Sequence, residues 1–148
     1  LHIGAVCLHD VDGPLTVDDV RTLTELHQLA IPTIEASHGD AHLANSCATG
    51  QQVALLDFEF TAWRPVGADH AKLYLFLADN PALRRTVLAD LTPSATAGFW
   101  TAVVLAACRE LISHRRHIDL PHRQRRLRAL TNDLCHALTV VRQLHTRP

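Results

Sequence analysis

The stretch SHGDAHLANSCATGQQVALLDFEF, residues 37–60, decides how the chain is read. Between His38 and Asn45 it packs two histidines, an aspartate and an asparagine, and Asp57 follows an apolar run. Thr49-Gly50-Gln51-Gln52 lies between two β-prone segments, 46–48 and 53–57, so the spacing predicts a small hairpin. Gly39 and the Leu-Ala-Asn that follows read as loop. Hairpin pairing would bring Asp57 alongside Asn45 and so gather, with Asp40, three oxygen donors near one point. Oxygen-only sites with few protein ligands suit Mg²⁺, which keeps waters and binds substrate phosphates.

Working outward, Thr16 with Asp18 and Asp19 marks a helix start, the acids lying at the positive end of the dipole. Val20, Leu23, His27 and Ala30 recur at helical spacing, and Ile31-Pro32 ends the helix. Residues 33–37 read as a strand leading into the motif. Downstream the pattern becomes helical: 69–78, then 81–91 opened by Pro81, then a long apolar helix over 95–116. Asp119-Leu120-Pro121 caps a last helix running to 144. The expected fold is α+β, predominantly helical, one domain spanning residues 1–148.

Composition agrees with a globular chain: 148 residues, 47 % apolar, enough for one core. No basic-start leader and no apolar run of bilayer length is visible, so a cytoplasmic location without a membrane partner is expected. The chain begins at Leu and has no Met, which reads as a piece of something longer or a processed product. Cysteines 7, 47, 108 and 135 form no C-x-x-C pair and are expected as reduced thiols in the core. Charge is uneven: residues 1–108 hold five basic and twelve acidic side chains, residues 109–148 nine and three.

H-G-D-x-H-x-x-N followed by an apolar run ending in D-F-E resembles the aminoglycoside phosphotransferase and choline kinase family, relatives of the protein kinases. The Asp40-to-Asn45 spacing equals that of the protein-kinase catalytic loop. The resemblance covers about residues 16–78, and it implies a protein-kinase-like C-terminal lobe whose hairpin carries the catalytic and metal residues. Asp40 would be the catalytic aspartate that orients the acceptor hydroxyl, and Asn45 and Asp57 would hold Mg²⁺. His38 would brace the loop, Glu59 and His42 would touch substrate or support the loop, and Asp69 would be structural. The implied reaction moves the γ-phosphoryl of ATP or GTP to a small-molecule hydroxyl, such as that of an aminoglycoside or a choline-like compound. The family often has Pro-Gly where this chain has Leu43-Ala44. Such a lobe works beneath an N-terminal nucleotide-binding lobe with a phosphate-binding lysine. Nothing before residue 33 supplies one, and Lys72, the single lysine, follows the motif. The isolated chain is therefore expected to show little or no phosphotransfer.

Three other readings stand beside this one. His38, Asp40 and His42 alternate as ligands of zinc or iron can. The Arg-rich stretch 115–128 could meet nucleic-acid phosphates, although it has no interleaved aromatics, and a solvated or partner-docked helical face explains it more simply. A non-catalytic remnant or pseudokinase-like binding module would keep the fold without the reaction. The acidic wall that a cationic acceptor needs could come from Glu59, Asp79 or Asp90.

Overall fold

A computed structural model describes residues 17–30, 33–115 and 121–146. It is mostly helical with two small antiparallel sheets. Helix α1 (Val17–Ala30) is followed by β1 (Ile34–Ser37), a 3₁₀ turn (Leu43–Asn45), β2 (Ser46–Thr49), β3 (Gln52–Leu55) and β4 (Ala62–Pro65). Four helices complete the chain: α2 (Ala68–Phe76), α3 (Pro81–Ala89), α4 (Thr96–Arg115) and α5 (Pro121–His145). The proposed caps at Thr16, Ile31-Pro32 and Asp119 lie outside the described residues.

The core belongs to the helices. Helix α4 packs along α5 and also against α2 and α1. On α5 the buried residues Leu130, Leu134, Ala137, Leu138 and Val141 fall three and four apart, one continuous stripe. Phe99, Val103, Val104 and Ala107 of α4 meet that stripe with no exposed surface. Expectation found no apolar run of bilayer length, yet Pro93–His114 is long and apolar enough to qualify. More than half of its most apolar window is buried inside this chain, as the central helix of a bundle requires. The cysteine expectation also needs correction. Cys108 is buried, but Cys47 and Cys135 are free and exposed, and Cys7 lies outside the described residues.

Local chemistry sets the element ends. Asn80 caps α3 by accepting the Leu83 N–H at 3.1 Å, with Pro81 in the first turn. Two ion pairs tie the helices together, the first largely buried and the second with a buried Asp19 but an exposed Arg142. Arg84 of α3 grips Asp133 of α5 at 2.7 and 2.6 Å, and Arg142 of α5 grips Asp19 of α1 at 2.7 and 2.8 Å.

The strands form two separate pairs. β1 runs antiparallel to β4, Ile34 facing Pro65 and Ser37 facing Ala62. β2 and β3 form the expected hairpin through Gly50-Gln51, where Gly50 takes the positive φ that such a tight turn asks for. The hairpin ends earlier than expected: β3 stops at Leu55 rather than reaching Asp57, whose φ of 62° is incompatible with a strand. Every residue of β3 is exposed. Ile34, Leu43, Phe58, Phe60 and Trp63 are exposed as well.

Candidate functional site

Residues 38–45 leave β1 as a loop that two helical and strand-end groups hold in place. Asp69, in the first turn of α2, reaches back so that its carboxylate accepts the backbone N–H of His38 at 2.7 Å and of Gly39 at 2.9 Å. Gly39 has φ of 82°, and a Cβ there would overlap the Phe60 carbonyl oxygen, so the turn admits only glycine. Asp69 thus fixes the loop rather than facing a ligand with free oxygens.

His38 links the two halves of the motif. It is 5 % exposed, its Nδ1 accepts the Asp40 N–H at 3.3 Å, and its Nε2 lies 2.8 Å from the Leu56 carbonyl. With Nδ1 accepting, the ring proton sits on Nε2 and is donated to Leu56. The Leu56 N–H in turn donates to the Asn45 carbonyl at 2.9 Å, extending the β2–β3 ladder by one bond. Asn45 and Leu56 therefore close the open end of the hairpin, and Asp57 is the next residue along.

The Asp40 carboxylate is the most heavily engaged group of the loop. Lys72 Nζ lies 2.9 Å from Oδ1, while Asn45 Nδ2 donates to Oδ2 at 3.0 Å and to the Asp40 carbonyl at 3.1 Å. His42 Nδ1 accepts the Ala44 N–H at 3.1 Å, leaving its proton on Nε2, 3.3 Å from Asp40 Oδ2. Burial works against the charged carboxylate, but Lys72, with His42 and Asn45 behind it, outweighs that and holds the Asp40 pKa below its ordinary value. An ionised carboxylate has about four acceptor positions, so three side-chain donors leave one for a further hydroxyl.

Asn45 spends its NH₂ group on Asp40 and leaves its amide oxygen without a partner among the described residues. Asp57 is exposed and forms no ion pair or hydrogen bond with another described residue. These two unengaged oxygen-bearing groups, joined through the Leu56–Asn45 bond, fit the donor set that Mg²⁺ takes. Glu59 is exposed in the following turn and is not brought to Asp40. The zinc-like alternation of His38, Asp40 and His42 does not converge. Each imidazole uses its Nδ1 on a backbone N–H, and among the described residues no three His, Cys, Asp or Glu side chains gather to hold a metal.

Sequence reasoning missed two residues here. It set Lys72 aside, yet Lys72 bridges Asp40 and Glu110, whose Oε1 is 3.6 Å from the ammonium. Lys72 lies one helical turn after Asp69, and that i, i+3 spacing puts both on the loop-facing side of α2. Glu110 is a half-buried acid that follows the long apolar part of its helix, a position that favours a partner. Beyond Glu110 lies a cavity of about 590 Å³, lined also by Phe76, Asp79, His114, His122, Arg123, Arg125 and Arg126. Phe76 stacks on His42 with ring centroids 4.6 Å apart, so cavity and loop share a wall. Of the acids considered for a cationic acceptor only Asp79 lines this cavity, and Glu59 and Asp90 do not.

No protein-family model, curated protein or solved structure matches the chain.

Proposed function

We propose that this chain is the catalytic, C-terminal part of a small-molecule phosphotransferase of the aminoglycoside phosphotransferase and choline kinase type. It would move the γ-phosphoryl of ATP or GTP to an acceptor hydroxyl. The observation that supports this reading is the Asp40 carboxylate, held charged by Lys72 and oriented by Asn45, with Asp57 one residue beyond the Leu56 that bonds the Asn45 backbone. Asp40 positions and polarises the acceptor hydroxyl, receiving its proton as the P–O bond forms. Held below its ordinary pKa, it is a weak base, so orientation is its larger contribution. Lys72 and His42 keep it charged and aimed. Mg²⁺, held by Asn45 and Asp57, would neutralise charge on the nucleotide phosphates. His38 ties the metal half of the site to the acceptor half through Leu56.

Two measurements test this. Mn²⁺ standing in for Mg²⁺ should selectively broaden the NMR signals of Asn45 and Asp57, and Asp57→Ala should remove the effect. The second is turnover of protein expressed with the coding sequence upstream of Leu1, where a Gly-rich hairpin and a strand lysine would supply the nucleotide clamp. There Asp40→Asn should lower Mg²⁺-dependent transfer by roughly a thousandfold with the circular dichroism spectrum unchanged. Undiminished transfer by Asp40→Asn overturns the assignment.

A further inference from the structure

Five arginines of the helices fall into two contrasting sets. Arg84 and Arg142 are each closed by a bidentate carboxylate, at 2.6–2.8 Å. Arg123, Arg125 and Arg126 share one cavity, and among the described residues none of the three forms an ion pair with a carboxylate. Their nearest partners are neutral. Arg126 donates to the Leu75 carbonyl at 2.7 Å, and Arg123 lies 2.7 Å from His114 Nδ1. The Nε of Arg123 is buried with no hydrogen-bond partner. Burial and the neighbouring Arg123 both lower the His114 pKa, so the imidazole stays neutral and accepts from the guanidinium without cancelling its charge. Two acids, Glu110 and Asp79, line the same wall and favour the charged form of Arg126, but neither forms an ion pair with the three arginines: Glu110 lies 3.6 Å from Lys72 and 3.4 Å from His114 Nε2.

Guanidinium groups that line one open cavity with no carboxylate partner are complementary to an oxyanion, because a planar fork matches the two oxygens of a carboxylate or phosphate. The cavity also touches the Asp40 loop twice, through the Phe76–His42 stack and through the Asp40–Lys72–Glu110 bridge. We infer that this cavity is the acceptor subsite, and that the acceptor is a hydroxyl compound bearing a carboxylate or phosphate rather than a polycationic amine. The inference rests on the phosphotransferase reading for the word acceptor, but oxyanion binding by the arginines is measurable without turnover.

Calorimetric titration of the 148-residue chain, in low-salt buffer free of phosphate and sulfate, tests it with three probes. Glycerol 3-phosphate and glycerate each carry hydroxyls and one oxyanion; kanamycin carries hydroxyls and amines. At least one oxyanion should bind, kanamycin should not, and whichever oxyanion binds more tightly names the recognised group. Arg126→Gln and the exposed Arg125→Glu should each weaken that binding by roughly tenfold. Arg128→Gln, the same charge on the same helix away from the cavity, should leave it within about twofold. If Arg126→Gln perturbs folding, Arg125→Glu carries the comparison. Preferential binding of kanamycin overturns the inference. So does equal weakening by Arg128→Gln, or a strong salt-dependent affinity for duplex DNA with no response to either small oxyanion. Asp40→Asn should keep oxyanion binding. Oxyanion binding by this chain, with no transfer once a nucleotide-binding lobe is supplied, would therefore count against the phosphotransferase reading alone, and transfer to a polyamine without oxyanion binding against this inference alone.

Discussion

At the scale of single residues, the chemistry turns on how Asp40 is kept charged. Three donors converge on its carboxylate, and the ammonium of Lys72 at 2.9 Å is the only permanent charge among them. Lys72→Met should therefore raise the Asp40 pKa toward the ordinary carboxylate value, which a carbon-13 carboxyl titration would read directly. The sign for stability follows. A carboxylate whose folded pKa is depressed contributes stability above its unfolded pKa and loses it as pH falls through the folded one. The difference in melting temperature between wild type and Lys72→Met should be greatest near neutral pH and vanish in strong acid. A pH-independent difference would show that Lys72 acts through packing of its stem instead. The motif residues themselves were legible because histidine, aspartate and asparagine cluster so tightly in residues 38–45. Lys72 and Glu110 were not, because 32 and 70 residues respectively separate them from Asp40 in the chain and only tertiary packing brings them together.

At the scale of elements, the helices were readable and the strands only in part. Helical period and proline positions gave four helices after the strands within a few residues of their observed ends, since each carries an apolar face and a chemical stop. The hairpin was readable from the turn residues at 49–52. β4 was overlooked because Ala62-Trp63-Arg64-Pro65 has no alternation and ends in a proline, which only an edge position tolerates. Pairing between helices was equally hidden. Arg84 and Asp133 are 49 residues apart, yet both are largely buried and their bond joins α3 to α5. Asp133→Ala strands a buried guanidinium, which keeps only the Tyr74 carbonyl at 2.9 Å and the face of the Tyr74 ring. The expected loss is about 3 kcal/mol in urea unfolding. Replacing both partners by apolar residues, Arg84→Met with Asp133→Leu, should recover much of that loss.

At the scale of the whole molecule, the core and the candidate site occupy different ends of the stability range. Helices α4 and α5 bury a continuous apolar stripe, whereas β3 has no covered face. Native-state hydrogen exchange should accordingly find the slowest amides near Val103, Val104 and Leu134, and the fastest strand amides in β2 and β3. Protection of the hairpin equal to that of α4 would contradict this. Composition foretold a globular chain with one core, but it could not foretell that large apolar side chains such as Val53, Phe58 and Trp63 would remain exposed among the strands.

Asn45 and Asp57 lie just beyond the two free tips of one thin ribbon, where the Leu56 N–H donates a hydrogen bond to the Asn45 carbonyl. A cation grasping both tips would rivet that ribbon shut, so the tightness of the grip and the stiffness of the ribbon become one thermodynamic quantity. Whatever loosens the strands, even a change at the far turn around Gly50, would then be felt as weaker magnesium.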